Sequence, residues 1–121
     1  IALMDAKKGL KMFEKVGIPI LGIVENMAVH ICSNCGHAEH IFGADGGRKM
    51  AEQYEVEYLG SLPLDIRIRE QADSGRPTVV AEPDSSITET YKAIARKVAV
   101  RIAEKAKDMS LKMPTIKVSN T

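Results

Sequence analysis

The chain has 121 residues, enough for one domain, and its 45% hydrophobic and 27% charged residues are typical of a globular protein. A net charge of +1 gives no electrostatic basis for binding nucleic acid or a membrane surface, and 4% aromatic residues are too few for base stacking. No apolar run approaches the length of a membrane span, and no signal peptide is visible. We therefore expect a cytoplasmic protein that has neither nucleic acid nor a membrane as a partner.

The first predicted element is a helix over residues 4–16. Its apolar residues recur at spacings of three and four, at Leu3, Ala6, Leu10 and Phe13. Gly17 is predicted to end this helix. Gly9 costs about 1 kcal/mol relative to alanine inside a helix, so we expect it to pack closely against a neighbour. Because the sequence starts without methionine inside an apparent apolar segment, we also expect a fragment of a longer chain.

Two apolar runs predict strands, residues 18–24 and residues 57–63. The first run has no polar alternation, which favours a strand buried on both faces of a parallel sheet. A polar segment and a glycine turn separate the two strands and lead into a short helix over residues 47–55. The side chains predicted to face inward from that helix are Met50, Ala51 and Tyr54.

Three further segments follow the second strand. We predict a helix over residues 65–74, an extended segment over residues 78–81 and a long helix over residues 84–108. The candidate N-caps of the long helix are Asp84, Ser85 and Ser86, and Glu89 lies three residues after Ser86, the spacing of a capping box. Its apolar seam is predicted to consist of Ile87, Tyr91, Ile94, Val98 and Ile102.

The order of these elements predicts the architecture. Helices alternate with strands across long connections, which indicates an α/β fold with a parallel sheet flanked by helices. We assign residues 1–108 to this domain, with a cysteine-containing loop at residues 28–42. Residues 109–121 contain Pro114 and no periodicity, so we expect a disordered tail.

The stretch HICSNCGHAEH, residues 30–40, holds both cysteines of the chain, Cys32 and Cys35. This spacing places two thiolates on one tight turn, and Gly36 allows the chain to reverse, as zinc or an iron–sulfur cluster requires. A redox dithiol usually lies at a helix N-terminus, which is not evident here. A thiol oxidoreductase and an inert pair of loop cysteines are the alternatives.

A tetrahedral metal site needs four ligands, and the sequence has no second CxxC. The remaining ligands could be the histidines of the same stretch, although their spacing differs from that of usual zinc fingers. These histidines are His30, His37 and His40. Alternatively, a two-fold homodimer supplies two cysteines from each chain, which completes either a [4Fe–4S] cluster or a zinc site.

The ends of the two strands offer a second candidate site. Asn26 follows the first strand, and Pro63, Leu64 and Asp65 follow the second. Ligands of open α/β sheets bind outside the carboxyl ends of strands, and an asparagine amide can pair with a purine edge. Asn26 could equally be a turn residue. No GxxxxGK[ST] phosphate loop occurs, and the glycine-rich residues 43–48 resemble a hinge.

A succession of segments resembles one family. DAKKGLKMFEKVGIPILGIVENM, CSNCG, HIFGADGGRKMAE and YLGSLPLDIRIREQADSGRPTVVAEPDS occur in this order between residues 1 and 106. They are similar to the C-terminal half of the Mrp/ApbC family, MinD-like P-loop NTPases with a deviant Walker A loop that carry iron–sulfur clusters. The chain departs from the usual pattern at Ala28, where serine is usual, and at Val29 and His30, where an aromatic residue is common.

The resemblance implies a function and site residues. It implies that Cys32 and Cys35 bind a [4Fe–4S] cluster across a homodimer, which passes to apo iron–sulfur proteins. It also implies that Asn26 contacts adenine and that residues 63–65 border the base. The deviant Walker A loop lies upstream of the matched segments, so the parent is expected to hydrolyse ATP and this chain alone is not. The alternative function is a small zinc-binding module that uses the same CxxC.

Overall fold

A computed structural model describes residues 1–112 of the chain. In chain order its elements are α1 (Ala2–Lys15), β1 (Ile23–Glu25), β2 (His30–Ile31), β3 (Ala38–Glu39), α2 (Gly46–Gln53), β4 (Tyr58–Ser61), α3 (Ile66–Asp73), α4 (Thr78–Ala81) and α5 (Ser86–Lys112). Strands β1 and β4 pair in parallel and helices flank them, which confirms the predicted α/β class. None of the helices in this part of the chain combines the length and apolarity needed to span a lipid bilayer.

The parallel pair β1–β4 is shorter and less covered than the sequence predicts. Ile23 lies opposite Tyr58, but β1 includes only Ile23–Glu25, and Val24 is 40% exposed. The prediction of a strand over residues 18–24 that is buried on both faces is therefore wrong. The physical reason is that, within residues 1–112, β1 hydrogen-bonds to β4 along one edge and to no strand along the other.

The core lies between the sheet and the helices. Helix α2 packs on β1 and helix α5 packs on β4. The buried apolar side chains of these elements and of α1 are Leu10, Met50, Ala51, Leu59 and Ile87. Each large one contributes about 1.5–3 kcal/mol by burial. The inward orientation predicted for Met50 and Ala51 is confirmed, while Ile102 of the predicted α5 seam is 52% exposed.

Helix α1 ends where its sequence predicts. Gly17 adopts a φ of 77°, and its N–H donates to the Glu14 carbonyl at 3.1 Å. The N–H of Ile18 donates to the Phe13 carbonyl at 2.9 Å, which completes a Schellman motif. Gly9, in contrast, has no neighbour within 4 Å of the position of a Cβ atom, so the predicted close packing is wrong.

Residues 78–81 form the short helix α4, so the extended segment predicted there is wrong. The hydroxyl of Thr88 is fully buried and lies 2.6 Å from the Glu82 carbonyl and 3.2 Å from the Thr78 carbonyl. These contacts bring both ends of α4 onto the first turn of α5. Ser85 caps α5 by accepting from the Thr88 N–H at 3.2 Å, which confirms one of the three candidate caps. Ser86 is already the first residue of α5, so the capping box predicted from Ser86 is not formed.

We expect Thr88→Val to destabilise the domain by about 2 kcal/mol, because two carbonyls and the Ser85 hydroxyl lose a buried partner. The measurement is the free energy of unfolding in urea. Thr90→Val is the control, since the Thr90 hydroxyl donates only to the carbonyl one turn back, at 3.1 Å. Equal losses in the two variants would contradict the assigned role of Thr88.

Helix α5 also extends further than predicted. Residues 109–112, which the sequence assigned to a disordered tail, continue α5 to Lys112. The predicted end of the long helix at residue 108 is therefore wrong. The remainder of that prediction, residues 113–121, lies outside the described residues.

Candidate metal centre

The two cysteines lie on the turn of a short hairpin. Strands β2 and β3 pair antiparallel, and the Cys32 N–H donates to the His37 carbonyl at 2.9 Å. The N–H of Gly36 donates to the Cys32 carbonyl at 2.8 Å, and Gly36 has a φ of 74°, a conformation that favours glycine. The four-residue turn is thus closed by main-chain bonds on both sides, and it presents Cys32 and Cys35 at the same end of the hairpin.

The environment of the Cys32 thiol favours the thiolate that binds metal. Its pKa is lowered from the ordinary value, first by the main-chain N–H of Cys35 and then by that of Asn34, which both donate toward the sulfur. Both cysteines are free thiols, with Cys32 half-buried and Cys35 exposed. A turn whose main-chain N–H groups stabilise a thiolate favours binding of a soft metal ion or an iron–sulfur cluster.

The histidines do not converge with the cysteines on one point. His37 lies 3.8 Å from the Glu39 carboxylate, and both side chains are mostly exposed. The His40 Nδ1 lies 3.2 Å from the Ala28 carbonyl, where it connects the end of the hairpin to its start. Across residues 1–112 no group of three or more histidine, cysteine, aspartate or glutamate side chains is arranged to hold a metal ion. The described part of one chain therefore offers two thiol ligands.

The hairpin is anchored to the segment that follows β4. Beyond the strands, the Leu62 N–H donates to the Glu25 carbonyl at 2.8 Å, and the Ala28 N–H donates to the Leu62 carbonyl at 2.9 Å. The N–H of Leu64 then donates to the Val29 carbonyl at 2.8 Å. Parallel pairing thus continues from the sheet to the base of the hairpin, and it holds residues 63–65 beside Cys32.

A cleft of about 450 Å³ separates the hairpin from that segment. Its lining includes Ile31, Cys32, Pro63, Leu64, Asp65 and Ile66. The Asp65 carboxylate caps α3 by accepting from the Arg67 N–H at 2.9 Å, and it accepts from the Arg67 guanidinium at 3.0 and 2.8 Å. Arg67 also contacts Glu82 at 3.4 Å. Both oxygens of the Asp65 carboxylate are therefore engaged within the chain.

The Asp65–Arg67 pair makes stability depend on pH. Hydrogen bonds from the Arg67 side chain lower the pKa of Asp65 below its ordinary value of 3.8. The resulting stabilisation is complete above that ordinary value and is lost as the pH falls through the lowered folded-state pKa. Because Arg67 is 49% exposed, we expect Asp65→Asn to cost only about 0.5–1 kcal/mol at pH 7.

Urea unfolding of the wild type and Asp65→Asn from pH 7 down to acid tests this expectation. Asparagine keeps the helix cap, so the comparison isolates the charge, whereas Asp65→Ala removes the cap as well. The difference between the wild type and Asp65→Asn should shrink in acid. A difference that is constant down to the lowest pH at which the protein folds would contradict the assignment.

Asn26 lies in a different cavity, of about 620 Å³, which is also lined by Met27 and Phe42. Its side-chain oxygen accepts from the Met27 N–H at 2.9 Å. The structure thus brings residues 63–65 together with Cys32, but it does not place Asn26 in the same cleft. Whether Asn26 and residues 63–65 share a base-binding role stays a prediction.

The residue before Asn26 takes part in contacts that the sequence reasoning missed. The Tyr58 hydroxyl donates to the Glu25 carboxylate at 3.1 Å, and the Arg48 guanidinium lies 4.4 Å from the Tyr58 ring centroid. Burial is the main cause of a raised pKa at Tyr58. These contacts fix the end of β1, and no sequence spacing would have identified them because three separate elements contribute.

Comparisons with known proteins identify the class to which this fold and site belong. Residues 1–99 match a family model described as ParA: NUBPL iron-transfer P-loop NTPase. The chain therefore belongs to this family of iron-transfer P-loop NTPases. The resemblance seen in the sequence is confirmed.

Curated relatives of the chain have consistent names. The chain is 64% identical over 95 residues to an iron-sulfur cluster carrier protein of Pseudomonas fragi, covering 78% of the chain and 33% of that protein. It is 57% identical over 102 residues to the protein of that name from Escherichia coli K12, covering 84% of the chain and 28% of the relative. It is 49% identical over 102 residues to the mouse iron-sulfur cluster transfer protein NUBPL, covering 84% of the chain and 32% of that protein. The chain thus spans about a third of the length of these relatives.

A solved structure supports the fold assignment. It is a nucleotide-binding protein in complex with ADP from Archaeoglobus fulgidus, with a TM-score of 0.53 and 33% sequence identity. The match covers 69% of this chain and 33% of that one. The likeness shows that the parallel sheet and its helices have the fold of a nucleotide-binding protein, in agreement with the family match.

Proposed function

We propose that this chain is the cluster-holding part of an ATP-dependent iron–sulfur cluster carrier. In this proposal Cys32 and Cys35 bind a [4Fe–4S] cluster that is shared with the same two residues of a second copy. The cluster is cargo, which the dimer holds and passes to apo iron–sulfur proteins. The observation that carries the proposal is the hairpin turn, which directs amide donors at one of two neighbouring thiols.

The ligand chemistry of the hairpin fits this cargo. A [4Fe–4S] cluster takes four cysteine thiolates, and two copies of the turn supply four. Main-chain N–H groups near the Cys32 sulfur favour the charged thiolate form that binds iron. Since each chain makes only two of the four bonds, separating the chains weakens the hold on the cluster, as a carrier requires.

The nucleotide part of the proposal concerns the whole protein. The family is one of P-loop NTPases, and the similar solved protein is in complex with ADP. In the parent protein, we propose, the base of the bound nucleotide is contacted by Asn26, Pro63, Leu64 and Asp65. Main-chain hydrogen bonds join residues 62–64 to residues 28 and 29. A displacement of residues 62–64 by the bound nucleotide would therefore also move the start of the hairpin.

Anaerobic reconstitution with ferrous iron and sulfide tests the cargo directly. We expect a brown protein with roughly two irons and two sulfides per chain, as one [4Fe–4S] cluster per pair of chains requires. The reconstituted protein should then restore the absorption of an apo iron–sulfur acceptor when the two are mixed without free iron. Repeating the transfer with an iron chelator present separates direct transfer from release into solution.

The competing function is a zinc module that uses the same two thiols. It would give a colourless protein that retains stoichiometric zinc, takes up no sulfide and transfers nothing to an acceptor. That outcome would reject the carrier proposal.

A further inference from the structure

The two thiols of the hairpin turn are close enough to react with each other. The Cys35 thiol donates toward the Cys32 sulfur, so the two sulfur atoms lie within hydrogen-bonding distance. Both cysteines are free, and they are the first and last residues of the four-residue turn. The Cα atoms at the ends of such a turn lie within about 7 Å, which overlaps the range of roughly 4.4–6.8 Å that a disulfide spans.

The turn can form this bond without disturbing the rest of the domain. Residues 33–36 are exposed, so their main chain can shift without moving a core side chain. The hydrogen bonds that anchor the hairpin to the domain lie outside the turn, at Ala28, Val29 and His40. The hairpin therefore keeps its position on the domain whether the two sulfur atoms are bonded or apart.

A small oxidant can reach both sulfur atoms. Cys35 is exposed, and Cys32 is half-buried but lines the cleft of about 450 Å³ beside Leu64 and Asp65. Because a water molecule occupies about 30 Å³, this cleft admits a small hydroperoxide. The Cys32 sulfur accepts hydrogen bonds from the turn and is the nucleophile, and Cys35 is a second thiol placed to react with the oxidised Cys32.

We propose that, in the chain without cargo, Cys32 and Cys35 form a reversible disulfide within one chain when a hydroperoxide oxidises them. A disulfide offers no thiolate to iron, so the oxidised chain cannot load a cluster until a small thiol reduces it. Once a cluster is bound, both sulfur atoms are bonded to iron and this redox switch does not operate. The inference rests on the proposed function for its effect on loading, whereas the disulfide itself does not depend on that function. It differs from a thiol oxidoreductase because the substrate is the chain's own pair of thiols.

Two electrons pass from the thiols to the peroxide in two steps. The Cys32 thiolate first attacks one peroxide oxygen, the O–O bond breaks, and the leaving oxygen takes a proton, so Cys32 becomes a sulfenic acid. The Cys35 sulfur then attacks the Cys32 sulfur. The S–S bond forms, the S–O bond breaks, and the departing hydroxide leaves as water with the Cys35 proton. Two molecules of a small thiol reverse the change by exchange and become a disulfide themselves.

Intact-mass spectrometry of the reduced apo-protein after treatment with hydrogen peroxide tests the bond directly. We expect a single chain that has lost two hydrogen atoms and no longer reacts with N-ethylmaleimide, with full recovery of both thiols in dithiothreitol. In Cys35→Ser the sulfenic acid should persist on Cys32 and be captured by dimedone, because no second thiol reacts with it. A disulfide between two chains, or oxidation to sulfinic acid with no bond inside one chain, would overturn the inference.

Gly36→Val tests whether the turn promotes the bond. Both thiols remain, but a β-branched residue disfavours the φ of 74° that closes the turn. At a fixed ratio of oxidised to reduced glutathione, the ratio of disulfide to dithiol should be about tenfold lower than in the wild type. Ser33→Ala is the matched control and should equal the wild type, and circular dichroism checks that all three proteins are folded. Equal ratios in all three would show that the turn does not bring the thiols together, and the inference would fail.

Metal uptake separates this inference from the proposed function. The probe is Cd²⁺, a soft ion that binds thiolates, because the sulfide of a reconstitution mixture would itself reduce a disulfide. The oxidised chain should retain about tenfold less Cd²⁺ than the reduced chain, and treatment with dithiothreitol followed by desalting should restore retention. A reduced wild type that takes up no iron and sulfide but shows this difference would reject the carrier function and leave the redox switch. A wild type that loads a cluster but retains Cd²⁺ equally before and after peroxide would reject the redox switch and leave the carrier.

Discussion

Anaerobic reconstitution of Cys32→Ser or Cys35→Ser is expected to leave less than about a tenth of the iron that the wild type retains. In a shared site each substitution removes two of four thiolates, because both copies carry the change. The measurement is iron and sulfide per chain after desalting. The loss of iron should be similar in the two variants, although main-chain N–H groups donate toward the Cys32 sulfur.

Two control variants make the cysteine result specific. Ser33→Ala lies in the same turn and removes no thiol. His37→Asn removes a ring whose nearest charged partner is Glu39, at 3.8 Å. Both should retain iron at the wild-type level. Iron loss in His37→Asn as large as in the cysteine variants would contradict a site made of thiolates alone.

Gly22→Ala is expected to destabilise the domain by roughly 3 kcal/mol, the largest effect on folding that we foresee. A Cβ atom at Gly22 would lie 2.7 Å from the Glu57 carbonyl oxygen and 2.6 Å from the Leu59 Cγ. The carbonyl belongs to the main chain and receives the Ile23 N–H at 2.8 Å, so it cannot move without breaking the first bond between the two strands. Urea unfolding of the apo-protein measures the loss.

The control for Gly22 is Gly9, the glycine for which the sequence predicted close packing. Gly9 has open space around it, so Gly9→Ala should stabilise α1 by about 0.5–1 kcal/mol through helix propensity. A neutral Gly22→Ala would show that β1 and β4 are further apart than described.

The helices could be predicted from the sequence because their signals are local. The apolar spacing of α1 and its stop at Gly17 depend on residues within one or two turns. The burial of residues 18–24 could not be predicted in the same way, because it depends on which strands lie beside β1. The valines of α4 favour an extended chain, but the buried hydroxyl of Thr88 accounts for a helical turn there.

The candidate site, too, could be predicted from the sequence only in part. The spacing of Cys32 and Cys35 identifies the two thiols without any structure. It gives no information on the amide donors or on the pairing that joins the hairpin to residues 62–64. The sequence also grouped Asn26 with residues 63–65 because both follow strands, whereas their side chains line different cavities.

Native mass spectrometry of the anaerobically reconstituted protein tests the central claim most directly, because it counts chains and cluster in the same ion. The account predicts a species of two chains with one [4Fe–4S] cluster, and loss of the second chain together with the cluster when the complex is dissociated. A single chain that holds zinc or a complete cluster would contradict it.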